Sequence, residues 1–125
     1  MRLVDTSSWV EYLRDRESAV GDSIEALVLN GEAAWCDITL VELWHGVRGA
    51  KEKRELAEME NEIERIPVDA TVWRLASKLA LRCREKGINV PISDIIIAAC
   101  AVTHGLELEH CDKHFNDLLP LAKTL

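Results

Sequence analysis

Residues 93–110 read SDIIIAACAVTHGLELEH, and this stretch decides the fold class. It follows Pro91, which ends any preceding helix, and it is apolar on every side from Ile95 to Val102, as is typical of a helix at the centre of a domain. The segment LELEH that follows is a strand candidate. A central helix that leads directly into a strand indicates an α/β protein.

The rest of the chain alternates strands and helices in the same way. Short strands are predicted at residues 2–4 and 33–36. Helices are predicted at residues 7–14, 20–30, 40–47, 51–65, 70–86 and 113–119, with RIPV (65–68) as a break. Asp69, which precedes a wide apolar face, is predicted to cap the helix over residues 70–86. The length of 125 residues suits one compact domain. We therefore predict a single domain over residues 1–125, an α/β sandwich with a mostly parallel sheet.

The chain is acidic, with 22 Asp and Glu against 15 Lys and Arg and a formal charge of −7. This balance opposes nonspecific nucleic-acid binding, so a nucleic-acid role requires a metal ion or a local basic patch. The only local basic cluster is Arg48, Lys51, Lys53 and Arg54, which either steers nucleic-acid phosphates or forms a solvated helix face. No basic-then-apolar leader is visible, and the four cysteines show no close pairing, which favours free thiols and the cytoplasm.

Four acidic residues lie at predicted strand ends or helix starts. Asp5 ends the first strand, Asp112 follows the last strand, and Asp94 and Glu42 lie in the first turns of helices. In a parallel α/β sheet, ligands bind beyond the carboxyl ends of the strands. We therefore expect these carboxylates to share one edge of the sheet.

Helix capping is the simpler explanation for each acid taken singly. Asp5 suits a cap for the helix near Ser7, and Thr39 with Glu42 fits a capping box. Gathered together, however, the carboxylates repel one another, and an all-oxygen ligand set favours Mg²⁺ or Mn²⁺ as the neutraliser. Such a site suits phosphodiester hydrolysis, with the hydroxyls of Thr6 and Ser7 orienting water or phosphate.

Four segments, in this order, resemble the PIN-domain ribonucleases: LVDTSSWVEYL, TLVELWHGV, SDIIIAACAVTHG and LEHCDKHFNDL. Within that family the chain is most similar to the VapC toxins of toxin–antitoxin pairs. The resemblance implies a three-layer α/β/α sandwich around a central parallel sheet. It also implies an Mg²⁺- or Mn²⁺-dependent endoribonuclease inhibited by a VapB-like antitoxin, and a homodimer. The acidic ligands it implies are Asp5, Glu42, Asp94 and the more variable Asp112, with Thr6 as the hydroxyl after the first aspartate.

Two residues near the last acid depart from that pattern or compete with it. Many relatives carry threonine two residues before the last acid, where this chain has His110, which we expect to hydrogen-bond a carboxylate or water. Asp117 competes with Asp112 for the role of the last acid.

A zinc site is an alternative interpretation of the late cluster of His104, His110, Cys111 and His114, although its spacing matches no standard ligand set.

Other interpretations stay open from the sequence. Trp9, Tyr12, Leu13 and Trp44 form either an exposed groove for an antitoxin or ordinary core. A PIN-like module that binds without cutting, and a receiver-like phosphoacceptor at Asp5, are alternative functions. The phosphoacceptor interpretation is disfavoured because the chain lacks paired acids soon after the first strand.

Overall fold

The computed structural model describes residues 1–125, in which seven helices enclose a four-stranded sheet. The elements in chain order are β1 (Arg2–Val4), α1 (Thr6–Arg14), α2 (Ala19–Leu29), β2 (Ala33–Cys36), α3 (Asp37–His45), α4 (Gly49–Glu62), β3 (Glu64–Ile66), α5 (Ala70–Glu85), α6 (Ile92–Thr103), β4 (Glu107–Glu109) and α7 (His114–Ala122). The strand order is β3-β2-β1-β4, and every pair is parallel. The predicted three-layer α/β/α sandwich is confirmed, with a sheet that is parallel throughout.

The two faces of the sheet support separate apolar cores. Successive strand residues point to opposite faces, so β1 sends Leu3 to one core and Val4 to the other. The core containing Leu3 is formed with α5, α6 and α7, and the core containing Val4 with α1 to α4. Helix α6 is buried continuously from Ile95 to Ala101, as its all-round apolar sequence predicts. Together the two cores hold the carboxyl ends of β1, β2 and β4 at one edge.

Strand β3 was missed by the sequence analysis, which extended the preceding helix to Arg65. The helix ends at Glu62, and Glu64–Ile66 pairs with β2 as an edge strand. The segment is only three residues long and two of them are charged and exposed, so it shows no alternating apolar pattern. Its place in the sheet depends on β2, which is distant in sequence.

The boundaries of α3 and α5 show where capping signals succeed and fail. Asp69 caps α5 by accepting a hydrogen bond from the Val72 amide at 3.0 Å, as predicted. The capping box proposed at Thr39 and Glu42 is wrong, because α3 already begins at Asp37. Thr39 therefore lies within the helix and not at its cap. Its side chain is fully buried.

Trp9 and Tyr12 belong to the core and do not form an exposed groove. Trp9 is fully buried and packs against Trp35 with ring centroids 5.2 Å apart. Only Trp44 of the aromatic residues considered for a groove is exposed, at 37 %.

Cys36, Cys83 and Cys100 are buried free thiols, as expected, and Cys111 is exposed. None of the helices combines the length and apolarity needed to cross a bilayer.

Candidate active site

All four predicted acids line one open cleft at the carboxyl edge of the sheet. The cleft has a volume of about 550 Å³. Asp5 directly follows β1, Asp112 lies in the loop after β4, Asp94 is in the first turn of α6, and Glu42 is on α3. Carboxylates separated by up to 107 positions in the chain therefore come together, as the strand-end argument predicts.

One side of the cleft holds its carboxylates with hydroxyl groups. Asp5 is 3 % exposed and accepts hydrogen bonds from the Ser7 hydroxyl at 2.7 Å and the Ser8 amide at 3.1 Å. Thr6 donates its hydroxyl to Glu42 Oε1 at 2.7 Å and lies 3.1 Å from the hydroxyl of Thr39. We call Asp5, Glu42, Thr6 and Ser7 the hydroxyl side. Asp5 thus caps α1 and faces the cleft at once, so the two interpretations of this residue are compatible.

The opposite side holds its carboxylates with an imidazole. Nδ1 of His114 lies 3.0 Å from Asp94 Oδ2 and 3.3 Å from Asp112 Oδ1. The His114 amide also donates to Asp112 Oδ1 at 3.0 Å. We call Asp94, Asp112 and His114 the imidazole side.

The pKa of Asp94 records the crowding of charge in the cleft. Burial raises the pKa of Asp94 above its usual range, and the negative charges of Asp112 and Asp5 raise it further. The hydrogen bond from His114 opposes this shift without cancelling it. The ionised form of Asp94 is therefore disfavoured by the protein alone, and a nearby cation would favour it.

The cleft fits a hard divalent cation. Five carboxylates line it, from Asp5, Glu11, Glu42, Asp94 and Asp112. No lysine or arginine forms an ion pair with any of the four predicted ligands. Carboxylate oxygens that lack lysine and arginine partners in a partly buried pocket are the ligand set that Mg²⁺ and Mn²⁺ prefer.

His110 and Asp117 do not reach the cleft. His110 makes no hydrogen bond to a carboxylate, because its ring packs on Phe115 with ring centroids 5.1 Å apart and its buried Nδ1 has no hydrogen-bond partner in the protein, while the alternative of a hydrogen bond to water stays a prediction. It lines a separate cavity with Ser8 and residues of α2. Asp117 lies on α7 beside another pocket, so the structure groups Asp112, not Asp117, with the other acids.

Two residues of the cleft were missed as functional candidates. The sequence analysis names His114 only as part of a zinc site. Its position two residues after Asp112 also indicates that its imidazole lies near that carboxylate. Arg14 lines the cleft and an adjoining cavity of about 170 Å³ that also contains Arg48. Arg14 is seven residues after Ser7, two helical turns further along α1, and this spacing predicts that both lie on one face.

This geometry defines a class of protein: an α/β/α domain with a wholly parallel sheet. At the strand ends, such a domain has an acidic cleft whose carboxylates are supported by hydroxyl groups. The family model described as PIN domain matches residues 2–118. The Mycobacterium tuberculosis protein named Ribonuclease VapC11 is 31% identical over 120 residues, covering 93% of this chain and 90% of that protein. The chain belongs to the PIN domain family, among the VapC ribonucleases.

Solved structures of toxin–antitoxin complexes contain the same fold. The structure of VapBC2 from Rickettsia felis bound to a promoter DNA fragment matches with a TM-score of 0.81, at 20% identity, covering 96% of this chain and 93% of that chain. A VapBC-5 structure from Mycobacterium tuberculosis, described as a member of the VapBC family of toxin–antitoxin systems, matches with a TM-score of 0.68 at 25% identity, covering 94% of this chain and 89% of that chain. Both matches extend over nearly the full length of the domain.

Proposed function

We propose that this chain is an endoribonuclease that hydrolyses RNA phosphodiester bonds with Mg²⁺ or Mn²⁺ bound by Asp5, Glu42, Asp94 and Asp112. The observation that carries the proposal is the convergence of these four carboxylates on one cleft without a lysine or arginine partner. Its similarity to proteins named VapC ribonuclease supports RNA as the substrate class.

The residues of the cleft have separate roles in this proposal. A bound divalent ion supplies water of lowered pKa and offsets the charge that develops on the phosphate. Thr6 fixes one oxygen of Glu42, and Ser7 fixes one oxygen of Asp5, so both carboxylates keep their orientation when substrate arrives. The positive end of the α1 helix dipole also favours an anionic group at this side of the cleft.

Arg14 and Arg48 are the residues best placed to bind the RNA backbone. Arg14 lines both the cleft and the adjoining cavity, and Arg48 lines the latter. Neither forms a salt bridge through its side chain. Free guanidinium groups at the rim offset the repulsion between RNA and an acidic protein.

The proposed role in the cell is that of a toxin inhibited by a VapB-like antitoxin. The solved structures that resemble this chain include VapBC complexes, and this supports a VapB-like partner. We further propose a single PIN-like domain that acts in the cytoplasm as a homodimer. Buried free thiols suit that compartment, and light scattering of the purified protein would test the dimer.

The test is RNA cleavage by purified protein with Mg²⁺, with Mn²⁺ and with EDTA, followed by sequencing of the new RNA ends. We expect metal-dependent cleavage by the wild type and by Asp117→Asn, an acid outside the cleft, and none by Asp5→Asn. Equal cleavage by Asp5→Asn, or cleavage in EDTA, would contradict the proposal. Metal binding without cleavage of any RNA would favour the alternative of a PIN-like module that binds but does not cut.

A further inference from the structure

One nitrogen atom lies between the two carboxylates of the imidazole side. Nδ1 of His114 is 3.0 Å from Asp94 Oδ2 and 3.3 Å from Asp112 Oδ1. Each of the three residues offers one ligand atom, and these three atoms lie within 4.8 Å of one another. The carboxylates come from α6 and from the loop after β4, so tertiary packing brings this trio together. None of the other three histidines lines the cleft.

The spacing of these atoms matches that of neighbouring metal ligands. Two ligands at right angles and about 2.1 Å from an octahedral ion are about 3.0 Å apart. A hydrogen bond accounts for only part of the arrangement, because the single hydrogen on Nδ1 can point fully at one carboxylate. Asp112 Oδ1 is held in place by the backbone amide of His114, so its approach to Nδ1 at 3.3 Å brings a second ligand atom beside the ring without a hydrogen bond to the ring.

The exposure of the trio leaves access for an ion from the cleft. The side chains of His114 and Asp112 are 40% and 35% exposed, whereas that of Asp94 is 17% exposed. The His114 backbone amide donates to Asp112 Oδ1, which holds this carboxylate beside the ring. The ring therefore lies on the open wall of the cleft and needs no rearrangement of the fold to reach an ion there.

We infer that His114 is a further metal ligand, adding an imidazole nitrogen to the carboxylate oxygens; this inference rests on the proposed function, which supplies the ion. Imidazole binds the later first-row metals more strongly than Mg²⁺. The chain should therefore prefer Mn²⁺ and, more strongly, Co²⁺ to Mg²⁺ by a margin that depends on His114. In His114→Gln we expect Co²⁺ affinity to fall by at least about tenfold more than Mg²⁺ affinity.

The direct test is pulsed electron paramagnetic resonance of Mn²⁺-loaded protein, which detects nitrogen bound to the ion. We expect a ¹⁴N signal from wild type and from the control His45→Gln, an exposed histidine outside the cleft. The signal should disappear in His114→Gln and change to ¹⁵N in wild type grown with ¹⁵N-histidine. The labelled wild type keeps the test valid even if His114→Gln fails to fold.

The outcomes separate this inference from the proposed function. If the wild type cleaves RNA with Mn²⁺ but gives no nitrogen signal, His114 is not a ligand and the nuclease proposal stands. Persistence of the signal in folded His114→Gln would overturn the inference equally. A nitrogen signal assigned to His114 in a protein that cuts no RNA would support the inference and contradict the nuclease proposal.

Discussion

The hydroxyl side and the imidazole side of the cleft hold their carboxylates by different means. Asp5 and Glu42 accept hydrogen bonds from neutral groups, so they stay oriented whatever the charge in the cleft. Asp94 and Asp112 share one imidazole nitrogen and repel each other, and the pKa of Asp94 is raised. One side is therefore preorganised by the protein, and under the proposed function a cation would complete the other.

Removal of Asp94 should have the largest effect on the imidazole side. In Asp94→Asn we expect RNA cleavage to fall at least about 100-fold, because one of the two carboxylates of the imidazole side is lost. Initial rates with a defined RNA and saturating Mn²⁺ measure the change. The matched variant Asp117→Asn should retain the wild-type rate, and an Asp94→Asn rate within a factor of a few of wild type would place the metal elsewhere.

Addition of metal should stabilise the wild type strongly. A ligand that binds only the folded state at 100 times its dissociation constant adds about 2.7 kcal/mol to the free energy of unfolding. Urea unfolding with Mn²⁺ and with EDTA measures this difference. We expect a much smaller gain in Asp94→Asn, and equal gains in the two proteins would show that the ion binds outside the imidazole side.

Loss of the Thr6 hydroxyl should have a moderate effect. Thr6→Val preserves the shape of the side chain but removes the hydrogen bond to Glu42, so we expect cleavage to fall about tenfold. The free energy of unfolding should fall by about 1 kcal/mol. Rates and urea unfolding measure both quantities.

Thr6→Ser is the control for this prediction, because it restores the hydroxyl and should recover most of the activity. If Thr6→Val is as active as the wild type, Glu42 does not depend on the hydroxyl side for its orientation. That result would weaken the contrast between the two sides of the cleft.

The smallest expected effect is a difference in pH dependence between Asp94 and Asp37. The pKa of Asp94 is raised when folded, so its contribution to the stability of the metal-free protein is present below its unfolded value of 3.8 and is lost as pH rises through the folded value. For Asp37, burial opposes the shift, but the Val68 amide and Arg65 lower its pKa. Its contribution is therefore present above 3.8 and is lost as pH falls through the folded value.

Urea unfolding in EDTA across pH 3 to 7 checks these signs by comparing each variant with the wild type. The stability of Asp94→Asn relative to wild type should rise as pH increases, and that of Asp37→Asn should fall. The same sign for both variants would contradict the assignment of a repulsive environment to Asp94 alone.

Much of the fold follows from local patterns in the sequence. Apolar periodicity located α5 and α6, and the position of Asp69 before an apolar stripe located a helix start. The same logic failed at β3, because three edge residues with exposed charges carry no pattern that distinguishes a strand from the end of a helix. Thr39 gave a false capping signal, because a threonine and a glutamate at that spacing also suit the interior of a helix.

The candidate site divides in the same way. Asp5, Asp94 and Asp112 were predicted because strand ends and helix starts of a parallel sheet share an edge, a rule that needs no coordinates. Glu42 was expected in the first turn of its helix, but α3 begins at Asp37, so Glu42 lies in the second turn and still lines the same cleft. His114 and Arg14 were missed because each is an ordinary surface residue in its own segment. The hydrogen bond expected from His110 to a carboxylate is absent for a similar reason, since its ring packs against Phe115 and lines a different cavity from Asp112.

The sequence by itself determined the alternation of strands and helices, the central position of α6 and the set of acids at the strand ends, because burial and local geometry leave periodic marks in the chain. Only the tertiary structure decided that Thr6 on α1 reaches Glu42 on α3 and that one nitrogen of His114 lies between Asp94 and Asp112. Such contacts depend on how whole elements pack, and a shift of one or two ångströms that leaves every local pattern unchanged would remove them.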